Sequence, residues 1–385
     1  MSALHFGTRT LPYGVVSPSG GRPRVGVAVD DVVLDLAHLF GPSSEFAAAS
    51  LNPFMAAGPA RWAEVRDAVR ARVDQGVESG QAGVHAAGAV SVLMPFEVAD
   101  FVDFFSGIEH ATNAGRILRP DEEEPLKPNY RRLPVGYHGR AGTVVPSDVD
   151  VVRPAGQIRQ GDEVIEAPTR RLDVEVELGY VVGVPSEHGR PVPSDRFHDH
   201  VFGVVLLLDW SARDIQAWEY QPLGPFLGKS FATSISSWVV PLDAVDGAWV
   251  DGPQQEPAVL DYLRVDEPRN PSIWLELELE GHVVSRPVAG SLYWSPAQQM
   301  AHMTRNGASL RTGDLYGTGT ISSFEVEGQG SLLELSWGGS REFSLGGGAV
   351  RSFLEDGDRV VLRGWIGGDR SRPMGEIAAR IRPAL

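Results

Sequence analysis

Two glutamates stand two residues apart in Leu-Asp-Val-Glu-Val-Glu-Leu-Gly-Tyr, residues 172–180. In a β-strand that spacing puts Glu175 and Glu177 on one side, with Val174, Val176 and Leu178 on the other facing a core. Neighbouring carboxylates repel, and each loses hydration on burial. A divalent cation relieves that conflict, and oxygen ligands suit hard ions such as Mg²⁺ and Ca²⁺. The plain alternative is a solvated strand face. Asp209 weighs against it, because it follows the apolar run Val201–Leu208 at the end of what reads as a buried strand. A carboxylate there is costly unless it is paired or bound to metal. A helix over Ser211–Tyr220 offers Asp209 a capping role, but Ser211 with Asp214 three residues on makes the better cap.

Asp103 lies among aromatics in the segment beginning Asp100-Phe-Val-Asp. Either Asp100 or Asp103 could cap a short helix there. His110 comes seven residues after Asp103, two turns on if the segment is helical, so both would share a face. His110 is a candidate general base. His138 in Gly-Tyr-His-Gly-Arg competes with it, and residue type alone does not choose between them. Glu334, in the strand-like Leu332–Trp337, is a candidate to fix the imidazole's tautomer, with an exposed strand glutamate as the alternative. The helix after Ser211 carries Arg213, Gln216 or Ala217, and Tyr220 on one stripe. Lys229 ends an apolar, Pro- and Gly-punctuated turn, where a cation can stabilise developing negative charge. Gly317–Ser322 reads as a Gly-rich strand entry without the spacing of a phosphate-binding loop.

The elements that must position these groups are mostly short strands. The chain has 385 residues with 44 Gly and 28 Pro, a frequency of turns that suits a strand-rich protein of about two domains. Tyr13–Ser17, Val25–Val29 and Val32–Leu36 read as strands of a small antiparallel sheet or barrel. A helix begins near Pro59, with Trp62, Val65, Val69 and Val73 at helical spacing. Residues 76–88 read as a loop, and the domain boundary falls near residues 90–95. Val360–Leu362 reads as a very short strand. The acidic run Asp121–Glu124 reads as a solvated loop. The net charge of −16 argues against nucleic-acid or anionic-membrane partners. With no cysteine, disulfides, thiolate metal sites and cysteine nucleophiles are excluded. No secretory leader or membrane span is visible, so the cytoplasm is the expected compartment.

The segments DFFSGIEHATNAG, LPVGYHGR, RRLDVEVELGYVVG, LLLDWSARDIQAWEYQPLGPFLGKSFATSIS, GTGTIS and LLELSWGG together resemble the fumarylacetoacetase family, from about residue 95 to the end. The resemblance implies a mainly β (α+β) fold. A small N-terminal SH3-like barrel with a helix and linker would span residues 1–93, and a catalytic mixed β-roll residues 94–385. It implies a homodimer that hydrolyses a carbon–carbon bond of 4-fumarylacetoacetate. It implies Asp103, Glu175, Glu177 and Asp209 as metal ligands, His110 and Glu334 as the water-activating pair, and Arg213, Gln216 and Lys229 as oxyanion donors. Phe105, Arg119, Tyr137, Gln216, Tyr220 and Thr320 fall at substrate-binding positions, and Lys229 and Thr233 where a second cation could sit. Phe105 departs from the family's usual Tyr, which removes a hydroxyl contact to substrate. Related reactions, acylpyruvate hydrolysis or oxo-acid decarboxylation, would use the same metal and enolate. A non-enzymatic metal-stabilised binding protein would need the acids without His110, Glu334 and Lys229.

Overall fold

A computed structural model describes residues 6–266, 269–346, 348–368 and 370–385. Residues 1–5, where the absence of a leader was expected, lie outside the described residues. The fold is mainly β with a few helices. The three N-terminal strands are Tyr13–Pro18, Arg24–Val29 and Val32–Asp35, and they pair as an antiparallel meander. They do not close on themselves alone. Tyr13 and Gly14 also pair with Val239 and Trp238, so the meander runs into one 13-stranded sheet with the strands that carry the site. Gly14 permits that approach, since a Cβ there would meet the Trp238 ring at 2.6 Å. The helix Pro59–Asp74 has Pro59 in its first turn and buries Val65, Val69 and Val73.

The long strands Leu172–Val182 and Val201–Ala212 form the middle of this sheet and are buried along their whole length. Val204, Leu206 and Leu208 enter one core, while Phe202, Val205 and Leu207 enter another shared with the N-terminal strands and helix. Burial on both faces explains why the second strand is a continuous apolar run rather than an alternating one. A second, five-stranded sheet closes over the first core. Its central strand Arg359–Ile366 is eight residues long, so the very short strand expected at Val360–Leu362 is its middle part. Gly364 lets that sheet approach closely, because a Cβ would meet Leu206 at 2.6 Å. No helix among the described residues is long and apolar enough to cross a membrane.

Several local expectations fail for definable reasons. Asp103 and His110 do not share a helix. Asp103 is in the strand Phe101–Phe104, and His110 is in the helix Ile108–Leu118 that starts after a turn at Gly107. Ser211 caps nothing, because the strand runs through it to Ala212, and its hydroxyl donates to Glu175. Asp214 instead accepts from the Thr169 hydroxyl and from Arg170 N–H. Leu332–Leu335 is one turn of helix, not a strand: Ser331 accepts from the Glu334 N–H, an N-cap that overrides four residues without a clear period. Gly317 ends a strand, Leu315–Gly317, rather than opening one. The acidic run 121–124 is exposed, as expected.

Candidate active site

The register of the sheet assembles the acids. Glu175 pairs with Asp209 and Glu177 with Leu207, and cross-strand partners share a face. Gly179 pairs with Gly317 on the next strand, and Gly317 with Asp103 on the one beyond. Asp103, Glu175, Glu177 and Asp209 therefore emerge on one side, all buried, at the end of the core shared with the N-terminal strands. One oxygen each from Asp103, Glu177 and Asp209 falls within 4.8 Å of the others. Asp103 Oδ1 and Asp209 Oδ1 are buried without a hydrogen-bond partner. Gly317 forms the floor: a Cβ there would meet Glu177 Oε2 at 2.7 Å and Asp103 Oδ1 at 2.9 Å. Three buried carboxylates, two orphaned oxygens and a floor without a side chain fit a hard divalent cation.

The charges around the four acids are not equivalent. Burial pushes Glu177 and Asp209 well above the usual carboxylate range; the mutual proximity of the acids adds to this and Lys229 opposes it. Burial also raises Asp103, against Lys229 and the Tyr137 hydroxyl, which donates to Asp103 Oδ2 at 2.7 Å. Glu175 behaves oppositely. Burial works to raise it, but Arg213, Lys229 and His110 hold it well below the usual range. Arg213 Nη2 lies 2.8 Å from Glu175 Oε1, and Lys229 contacts both Glu175 and Asp209. The Thr320 hydroxyl donates to Glu175 Oε1 at 2.7 Å. Glu175 thus abuts the three-acid cluster and is already neutralised by two cations.

His110 is buried beside this cluster. Its Nδ1 lies 2.7 Å from Glu334 Oε2, and its Nε2 is 3.3 Å from Glu175 Oε1. Glu334 also accepts from the hydroxyls of Ser322 and Ser331 and from the Asn113 amide. Burial alone would raise Glu334, but His110 and these donors hold it below its ordinary value. A charged Glu334 requires a proton on His110 Nδ1, which leaves Nε2 to face the site. For His110, burial works downward, but Glu334 and Glu175 outweigh it and push the imidazole up to about 9. His138, the competing base, is exposed on a short strand.

The other expected groups divide. Arg213 Nη1 donates to Gln216 Oε1 at 3.0 Å, so these two and Lys229 stand together at the acids. Thr233 is buried opposite Asp209 in register. Phe105 packs edge-on against His110 with ring centroids 5.3 Å apart. Arg119 lies at the far end of His110's helix, about 13 Å along the axis, and binds Glu122 and the Pro125 carbonyl. Tyr220 is exposed and accepts from Gln221. Asp173 was not singled out from the sequence, although it precedes Glu175 by two residues on the same strand face. It is fully buried, binds Arg213 Nε at 2.7 Å and accepts from Leu332 and Leu333 N–H. It therefore anchors Arg213 and the Glu334 turn together. Ser331 was legible too, since Ser-Leu-Leu-Glu has the Ser-x-x-Glu spacing of a helix start.

Residues 101–382 match the family model described as fumarylacetoacetate (FAA) hydrolase C-terminal, and residues 9–97 match fumarylacetoacetase N-terminal. The chain is 43% identical to the fumarylacetoacetase of Homo sapiens over 99% of its own length and 97% of that protein. It is 42% identical to the fumarylacetoacetase of Arabidopsis thaliana, over 96% and 93%. The solved structure of a fumarylacetoacetate hydrolase from Exiguobacterium antarcticum shares the fold, with a TM-score of 0.56 at 16% identity, covering 97% of this chain and all of that one. The chain belongs to the fumarylacetoacetase family.

Proposed function

We propose that this protein hydrolyses the carbon–carbon bond of 4-fumarylacetoacetate to fumarate and acetoacetate, the last step of tyrosine and phenylalanine breakdown. The observation that carries this is the buried His110, oriented through Nδ1 by Glu334 and facing the acidic cluster through Nε2. Residues 1–93 serve as the N-terminal unit and residues 94–385 as the catalytic one. Asp103, Glu177 and Asp209 would hold Mg²⁺ or Ca²⁺, with Glu175 as fourth ligand. Lys229 and Thr233 mark the place for a second cation. A divalent cation bound there supplies positive charge that polarises a ketone and offsets the charge of a departing enolate.

The protein's own groups do the rest. In its neutral form, with Glu334 holding the Nδ1 proton, His110 takes a proton from water at Nε2, and Glu334 stabilises the resulting imidazolium. The hydroxide adds to the ketone carbon of the fumaroyl group, which becomes the second carboxyl of fumarate. Arg213, Gln216 and Lys229 stabilise the tetrahedral oxyanion. When the bond to the neighbouring methylene breaks, its electron pair leaves with acetoacetate as the enolate, which the imidazolium can protonate. Phe105, Arg119, Tyr137, Gln216, Tyr220 and Thr320 are the substrate-binding set. Exposed Trp218, Leu223, Phe226 and Leu227 beside the site support a homodimer, since so many apolar side chains together mark an interaction surface. The cytoplasm is the proposed compartment. The test follows loss of the substrate's ultraviolet absorbance with metal present, with chelator, and with His110→Ala. Turnover is expected only in the first case. Turnover by a metal-loaded His110→Ala variant at the parent rate would remove His110 as the base.

A further inference from the structure

A cavity of about 340 Å³ opens between the N-terminal unit and the catalytic sheet, and the chemistry above gives it no task. Tyr13 on the first strand lines one side, with Trp62, Ala63, Arg66 and Arg70 of the Pro59–Asp74 helix. Phe202, at the start of the Val201–Ala212 strand, lines the other, with Asp243 in the turn Leu242–Val245. Phe202 precedes Asp209 by seven residues on one strand, about 23 Å, so the cavity is separate from the acidic cluster. Its size suits a small molecule, and such pockets favour junctions between domains.

Two buried polar atoms in the lining have no hydrogen-bond partner among the described residues: the Tyr13 hydroxyl and Asp243 Oδ1. Tyr13 is only 1% exposed. Burial pushes its hydroxyl up to about 12, against the Arg66 charge, so it keeps its proton at neutral pH. Asp243 is bare at Oδ1 because Arg66 and Arg70 both donate to Oδ2, at 2.9 and 2.8 Å. Arg66 is further committed to the Leu11 and Thr10 carbonyls, at 2.7 and 2.8 Å. It stands beside both unpartnered groups and ties them to one corner.

The charges there disfavour an ion. An anion meets the bare Asp243 oxygen, and Asp67 lies 3.9 Å from Arg70. A cation meets the Arg66 and Arg70 guanidiniums. The remaining walls are aromatic. Trp62 stands edge-on to Phe202 at 5.3 Å between centroids, and Phe202 lies 5.7 Å from Tyr13. Trp62 Nε1 already donates to the Phe54 and Met55 carbonyls, so its ring offers the cavity apolar surface alone. Walls of this kind take a flat ring in edge or offset contact. A neutral hydroxyl on such a ring serves the two unpartnered atoms and the aromatic walls together.

We propose that this cavity binds a small neutral phenol, whose hydroxyl donates to Asp243 Oδ1 and accepts from the Tyr13 O–H while its ring packs against Trp62 and Phe202. Because the bound phenol touches both units, it stabilises their junction.

The test uses the Mg²⁺-loaded full chain and two probes of one shape, 4-methylphenol and p-xylene. Calorimetry is expected to show one 4-methylphenol per chain, with Kd on the order of 1 mM or tighter. At about ten times Kd the melting temperature rises by about 2 °C. p-Xylene leaves both polar atoms unpaired and binds at least about tenfold more weakly. Tyr13→Phe forfeits no hydrogen bond in the free protein, so it keeps the parent's melting temperature and loses about tenfold in affinity for 4-methylphenol. Ala63 is exposed on the helix, and Ala63→Phe fills the cavity mouth and abolishes binding of both probes. Equal affinity for the two probes would overturn the role of the hydroxyl. Binding that survives Ala63→Phe would place the phenol elsewhere and overturn the site. No binding of 4-methylphenol up to about 10 mM would overturn the proposal outright and leave water as the partner of Tyr13 and Asp243. None of these readouts uses turnover, so they stand apart from the hydrolytic reading.

Discussion

Replacing Glu334 by Gln removes one charge from the site and almost nothing else. Glu334 is fully buried and accepts from four donors: His110, Ser322 and Ser331 on Oε2, and Asn113 on Oε1. The Ser322 and Ser331 oxygens already accept from backbone N–H groups, so their hydroxyl protons need an acceptor. The Gln carbonyl must therefore sit where Oε2 was. Its amide then faces Asn113, which turns its own amide to offer oxygen. The fold survives, and the imidazolium loses its counter-charge. Opposite unit charges about 4 Å apart interact by about 4 kcal/mol near an effective dielectric of 20. A hydrogen bond to a charged group is worth about 1.5–3 kcal/mol, part of which a neutral carbonyl retains. A loss of about 2–4 kcal/mol corresponds to about 30- to 1000-fold in kcat. The assay is kcat at saturating metal, with metal affinity by calorimetry and melting temperature as controls. A folded, metal-binding Glu334→Gln variant with kcat within threefold of the parent would refute the role of Glu334 as counter-charge to the imidazolium. Glu334→Ala differs in kind, because it leaves four buried donors stranded, and it is expected to melt far below the parent.

Gly317→Ala adds one methyl at the floor of the acidic cluster, 2.7 Å from Glu177 Oε2 and 2.9 Å from Asp103 Oδ1. Gly317 is not among the positive-φ residues, so the backbone tolerates the change and the carboxylates must swing aside. Calorimetry is expected to show Mg²⁺ affinity down by about tenfold or more with the metal-free melting temperature nearly unchanged; an unaltered Kd would show that the cation sits elsewhere. Removal of metal should make stability pH-dependent in a defined direction. Glu177 and Asp209 are raised by burial and by the charges of neighbouring acids, so their neutral forms support the fold below the ordinary carboxylate range, and that support fades as pH rises. Chelated protein is therefore expected to melt lower at pH 8 than at pH 5, and Mg²⁺ added near neutral pH should release protons. Equal melting at both pH values with no proton release would contradict the electrostatics described here.

Much of this site was legible because strand geometry is local. Alternation made Glu175 and Glu177 a pair, and the end of an apolar run made Asp209 conspicuous. Asp173 obeys the same alternation, and its position two residues before Glu175 carries the signal. In the sequence the turn holding Glu334 reads as a strand because four residues cannot display a period; only the cap at Ser331 distinguishes them. Asp103 had no local signature, because its place depends on a parallel pairing with a strand more than two hundred residues away. The junction of the N-terminal meander with the catalytic sheet is non-local in the same way: Tyr13 meets Val239.

What no strand pattern could reveal is that the two glutamates are electrostatic opposites. They are the same residue, two positions apart on one strand, and equally buried. Glu175 is held well below the usual carboxylate range and Glu177 well above it. The difference lies entirely in what distant segments bring to each. Arg213 follows the neighbouring strand and Lys229 the turn beyond it, and both reach Glu175. Glu177 is left with Asp103 and Asp209 as its neighbours, against the more distant pull of Lys229. A strand therefore supplies the direction of a side chain, while its charge state is set by the chain crossings around it. That division separates the two acids: among the described residues Glu177 has no cation of the protein paired with it and fits one from solution, whereas Glu175 already has Arg213 and Lys229 beside it.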